Sequence, residues 1–138
     1  MAQFIFLSLV RDAGIDAYYS IDSAAVSSEE EGNDIYPPAR SVMRRHGIPF
    51  SSHRAHRITD GEFQSADLVI AMDSSNIRAL RRRFGDDGRI RLLLGRDVAD
   101  PWYTDDFETA FHDIEEGCRS LLMDTRSIIP DILSNEKR

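Results

Sequence analysis

Asp67-Leu68-Val69-Ile70-Ala71-Met72-Asp73 decides the fold. An unbroken apolar run without alternation reads as a short strand over 67–72, buried on both faces as in a parallel sheet. Asp73 then stands where a carboxylate caps the following helix. Ile77, Leu80 and Phe84 recur on one side of that helix, with Arg78, Arg81, Arg82 and Arg83 elsewhere; Arg81-Arg82-Arg83 reads as a solvated face, with partner docking as the alternative. Asp86-Asp87-Gly88 is a turn, and residues 90–94 form a second strand. Strand, helix, strand implies a parallel sheet with helices on both faces. Ligands in such sheets bind at the carboxyl ends of the strands. Asp73 lies at one such end, and the loop Ala99-Asp100-Pro101-Trp102-Tyr103 lies at the other.

Outward from this unit, residues 2–13 fit a helical face through Ala2, Ile5, Phe6, Leu9, Val10 and Ala13, stopped by Gly14. Residues 18–23 read as a strand, and 24–37 as a polar loop ending in Pro37-Pro38. Pro38 suits the first turn of a helix that runs to His46 and stops at Gly47. Thr59-Asp60-Gly61-Glu62 has the spacing of a capping box. On the carboxyl side, Asp105 with Glu108 starts a last helix. There Phe107, Ala110, Phe111, Ile114, Cys118, Leu121, Leu122 and Thr125 share a face. Pro130 ends it and Ser134 to Arg138 is a frayed tail, giving one domain over 1–130 and a tail over 131–138.

The composition agrees with a single α/β domain. The chain has 138 residues, 41% hydrophobic and 30% charged, enough for one core and too few for two. A net charge of −7 disfavours nucleic acid as a partner. No apolar run approaches the roughly 18 residues of a membrane span. The apolar start lacks the basic residues and cleavage site of a signal peptide. One cysteine, Cys118, excludes an internal disulfide and fits a reducing, cytoplasmic compartment. It falls on the apolar face of the last helix, where a buried thiol is expected.

Several short motifs, in order, resemble the low-molecular-weight protein tyrosine phosphatases. They are Ile21-Asp22-Ser23-Ala24; Arg44-Arg45-His46-Gly47-Ile48-Pro49; Ser52-His53-Arg54-Ala55 with Ile58-Thr59; the run from Asp67 to Asp73; and Asp100-Pro101-Trp102-Tyr103. Each is weak alone, but together they are strong and span residue 1 to about residue 125. The resemblance implies an α/β three-layer sandwich with a short parallel sheet flanked by helices. It also implies phosphotyrosine hydrolysis through a phosphocysteine, with a phosphotyrosine protein as substrate and no cofactor or metal.

Asp100 resembles the family's general acid, which protonates the leaving phenolate and later assists water attack. A carboxyl group can cycle one proton in this way. Trp102 and Tyr103 resemble the aromatic wall beside the phosphotyrosine ring, a role suited to exposed aromatic faces. His53 resembles a histidine that supports the phosphate loop by hydrogen bonding. His46 and His53 show no metal-ligand spacing with an acid. Structural roles are expected for both.

The family opens with a strand and a Cys-x(5)-Arg-Ser loop, and the residues here resemble it only from the helix after that loop. Cys118-Arg119-Ser120 echoes the loop's end, but Asp113 stands where its cysteine would be. Two expectations follow. Either the chain is the later part of an active cysteine phosphatase, or it is a catalytically dead interaction protein. An arsenate reductase would need further cysteines. In both cases this 138-residue form is expected to be inactive. With the first family strand missing, the flanking strands at 18–23 and 67–72 would have unpaired edges. Rearrangement of the sheet, or a homo-oligomer formed through it, is then expected.

Overall fold

The computed structural model describes residues 1–29 and 31–128, with Trp102 and Tyr103 as backbone only. Six helices and two strands follow in the order α1 (Ala2–Asp12), α2 (Pro37–Arg45), α3 (Asp60–Ser65), β1 (Val69–Ala71), α4 (Ser74–Phe84), β2 (Ile90–Leu92), α5 (Pro101–Thr104) and α6 (Phe107–Arg126). β1 and β2 pair in parallel, with Val69 opposite Ile90 and Ala71 opposite Leu92. The helix α4 connects them, which is the βαβ unit expected from the apolar run and its capping aspartate. Asp73 accepts the backbone N–H of Asn76 at 2.8 Å.

Two apolar clusters sandwich the sheet. Ile5, Val10, Val42, Phe111 and Cys118 lie in one, between α1, α2 and α6. Phe63, Ile77 and Leu80 lie in the other, beneath α3 and α4. This is an α/β three-layer arrangement with a short parallel sheet. Phe111 and Ile5 are essentially removed from solvent, each burial being worth about 1.5–3 kcal/mol. Gly14 and Gly47 end α1 and α2 in the left-handed region, at φ 73 and φ 69. Behind them Ile15 N–H bonds Val10 O at 3.0 Å and Ile48 N–H bonds Met43 O at 2.9 Å, the closure that recovers carbonyls left over at a helix end. The Thr59 capping box forms in both directions.

Three expectations are corrected. Residues 18–23 are not a strand. Asp16–Tyr18 form a 3₁₀ turn, and the segment beyond runs extended to a single bridge between Ala25 and Arg57. Its apolar side chains pack on α1 and α6 instead. Tyr19 meets Phe6 edge-on at 5.4 Å, and its hydroxyl lies 2.6 Å from that of Thr125. The loop after Asp100 contains the short helix α5, because Pro101 fixes φ at a first helical position. The last helix is capped by Asp106, not Asp105. Asp106 accepts Thr109 N–H at 3.0 Å, while Asp105 makes the left-handed connection at φ 56. Arg81, Arg82 and Arg83 are exposed, as expected of a solvated face, and Arg83 also reaches Asp60 at 2.8 Å and the carbonyl of Ile58. Pro130 and the tail over 131–138 lie outside the described residues. No helix among the described residues is long and apolar enough to cross a membrane.

Candidate active site

A cleft of about 340 Å³ opens where the loop after β2 meets the start of α1; Met1, Asp34, Tyr36, His53, Asp100 and Phe107 are among its lining residues. Asp100 is exposed on the rim. Its carbonyl accepts the N–H and the hydroxyl of Thr104, both at 3.3 Å, so α5 starts from the acid itself. The side chains of Trp102 and Tyr103 lie outside what is described. Their backbone places both on α5, within three residues of Asp100.

The segment leading to Asp100 is fastened at three consecutive residues. Asp97 accepts the N–H of Ser74 at 2.9 Å and its hydroxyl at 2.7 Å, using the first turn of α4. Val98 N–H bonds Met72 O at 2.9 Å, extending the β1 edge. Ala99 N–H donates to Asp113 at 3.1 Å. Asp113 is a buried acid on α6, gripped by Arg96 through two bonds of 3.0 and 2.9 Å. The guanidinium holds the Asp113 carboxyl below its ordinary range, against a smaller opposing effect of burial. Sequence reading missed this clamp. Its one signal was an Asp three residues after Ala110 and one before Ile114, inside the apolar stripe.

The opposite wall is a polar chain from α1. Ser23 Oγ donates to Gln3 Oε1 at 2.7 Å, which leaves its lone pair for His53 Nε2–H at 2.9 Å. The His53 ring also meets Phe4 edge-on. Asp34 ties this wall together by accepting His53 N–H at 2.9 Å and the Ser52 hydroxyl at 2.7 Å. The His53 backbone bond, then the Ser52 hydroxyl, then Ile35 N–H hold its carboxyl at about 2. His53 is thus held at its ring by Ser23 and at its backbone by Asp34. α1 has no side chain capping its first turn, so its positive end favours negative charge nearby.

Cys118 is not part of the cleft. It is buried beneath α1, with its sulfur 3.9 Å from the carbonyl of Ala2. Burial pushes the thiol up to about 12.

The profile of the family described as "Low molecular weight phosphotyrosine protein phosphatase" matches residues 1–131. The human low molecular weight phosphotyrosine protein phosphatase is 37% identical over 134 residues, covering 88% of this chain and 84% of that protein. The low molecular weight protein-tyrosine-phosphatase YfkJ of Bacillus subtilis is 33% identical over 131 residues, covering 88% and 84%. The crystal structure of YfkJ superposes with a TM-score of 0.87 at 31% identity, over 91% of this chain and 85% of that one. The phosphatase structure from Streptococcus pyogenes gives 0.83 at 31% identity, over 89% and 81%. A short parallel βαβ sheet flanked by helices is the layout that the chain shares with these small α/β phosphatases. This chain belongs to the low-molecular-weight protein tyrosine phosphatase family.

Proposed function

We propose that these residues supply the acid and the substrate walls for hydrolysis of phosphotyrosine in proteins, in a reducing cytoplasm. Asp100 is the general acid, protonating the phenolate oxygen as it leaves and then taking a proton from the attacking water. Trp102 and Tyr103 flank the aromatic ring. One observation carries the reading: a single cleft brings Asp100 to the start of α1. There the dipole favours a phosphoryl group within reach of the acid.

The covalent step needs a thiolate beside the phosphate. The 138 residues hold one thiol, and a group at about 12 in the core supplies none at neutral pH. On this reading the 138-residue form is expected to be inactive by itself. The test is turnover of p-nitrophenyl phosphate by the chain alone and by a chain extended at its N-terminus with a strand and a Cys-x(5)-Arg loop. No turnover in the first and Asp100-dependent turnover in the second are expected. Turnover by the first that vanished in Cys118→Ser would overturn the reading. The alternative of an interaction protein without catalysis would be favoured if the extended chain stayed inactive while folded.

A further inference from the structure

We propose that His46, Glu108 and His112 form a binding site for a divalent transition metal ion such as zinc, separate from the cleft and independent of the phosphatase reading. One donor atom from each lies within 4.8 Å of the others. His46 Nε2 is 2.8 Å from Glu108 Oε2, and His112 Nε2 is 3.9 Å from that same oxygen. Glu108 and His112 are four apart on α6 and so share a face. His46 comes from the end of α2, 62 residues away in sequence, which is why its spacing gave no sign of an acidic partner.

The three groups are held unequally, in a way that suits coordination. The His46 ring is stacked on Phe111 at 4.0 Å and 11°, which fixes its plane and aims Nε2 at the carboxylate. Arg45 occupies the other carboxylate oxygen, Oε1, through bonds of 2.9 and 2.7 Å. That leaves Oε2 turned toward the two imidazoles, as an outer partner does for a metal-binding carboxylate. His112 is exposed and free to swing the remaining distance inward. Two imidazoles and one carboxylate suit zinc, cobalt, nickel and copper rather than magnesium or calcium. On binding, the Nε2 proton that His46 shares with Glu108 is exchanged through solvent for one on Nδ1, so the ring stays neutral and the Nε2 lone pair turns to the metal. The nearby Arg45 charge opposes the ion and weakens the site without removing a donor.

A second cluster, Asp22, His56 and Glu62, has similar spacing but only one imidazole. The metal at the first cluster would clamp the end of α2 to the first turn of α6, one residue from Phe107 in the cleft wall.

Cobalt(II) titration tests this through visible absorption by the bound ion. One equivalent should give a band that zinc bleaches by competition. His112→Ala and Glu108→Gln should each weaken binding at least ~10-fold, the lower range for residues that support a metal, with circular dichroism unchanged. His56→Ala should leave the titration as it was. Absence of a band, a titration unaffected by both His112→Ala and Glu108→Gln, or loss of the band in His56→Ala would each overturn the proposal.

Discussion

Asp113, buried on α6, accepts the backbone N–H of Ala99 at 3.1 Å, one residue before the acid Asp100. The loop that carries Asp100 is thus fastened from α6 at the residue before it. Arg96 holds that carboxylate with two bonds of its own. Breaking either partner should loosen the acid loop. Asp113→Ala should cost about 1–3 kcal/mol through the lost charge-assisted bonds and the stranded Ala99 amide. Arg96→Ala should cost less, since that side chain is largely solvated and the pair is screened. Urea unfolding of both single variants and the double variant checks this. Additive effects would show that the two do not act as one clamp.

Asp100→Ala in the N-terminally extended chain should reduce turnover at least ~10²-fold, the lower range for a general acid. Circular dichroism should show the variant folded, since Asp100 is exposed. Unchanged kcat in this variant would remove Asp100 from the mechanism.

Gly117 is where α6 meets the strand layer. A Cβ there would stand 2.5 Å from Leu93 Cγ and 3.1 Å from the Leu93 carbonyl. Gly117→Ala should therefore destabilise by about 1–3 kcal/mol through overpacking, although alanine is the better helix former. Much of the loss should return when Leu93 is cut to Ala in the same chain. Thermal melts of the three variants decide it, and a more stable Gly117→Ala would show that α6 can shift.

Asp34 sets an acid limit on the cleft wall. Its folded value of about 2 lies below the ordinary 3.8, so at pH between them the unfolded chain binds the extra proton. Stability from this group is fully present above about pH 4, and is withdrawn as pH falls toward 2. The wall at Asp34 and His53 should loosen in that window. Carboxyl titration by NMR should find a midpoint near 2. A midpoint at the ordinary value would mean that the bonds to His53, Ser52 and Ile35 do not form in solution.

Self-association through the sheet is open to light scattering. Among the described residues the sheet has two strands, and neither edge of such a pair is covered by a third strand, an arrangement that invites pairing with another chain. A dimer or larger species is expected at high concentration. A monomer throughout would assign those edges to contacts within the chain.

The βαβ unit was legible because its signals are local. An apolar run, a capping aspartate and a repeat of Ile77, Leu80 and Phe84 all lie within eighteen residues of one another. Helix ends at Gly14 and Gly47 were legible for the same reason. The segment 18–23 was misread because Tyr18, Tyr19 and Ile21 suit a strand by residue type. Packing against α1 decided otherwise, and packing is not written in a six-residue window. Asp100 was visible through its motif, whereas its supports at Asp97, Asp113 and Arg96 were not. Those bonds join residues 14 to 23 apart, with no periodicity to betray them. The His46 cluster was hidden more deeply still, since its partners sit on different helices.

The burial of Cys118 turns an inert thiol into a clock for opening of the domain. Its sulfur sits beneath α1 against the Ala2 carbonyl, so an aromatic disulfide reagent reaches it only when α1 lifts from α6. With reagent in excess and reclosing fast, the labelling rate reports the population of that open form. Each substitution above can then be ranked by how quickly one sulfur colours, without denaturant and in a chain with no second thiol to confuse the signal.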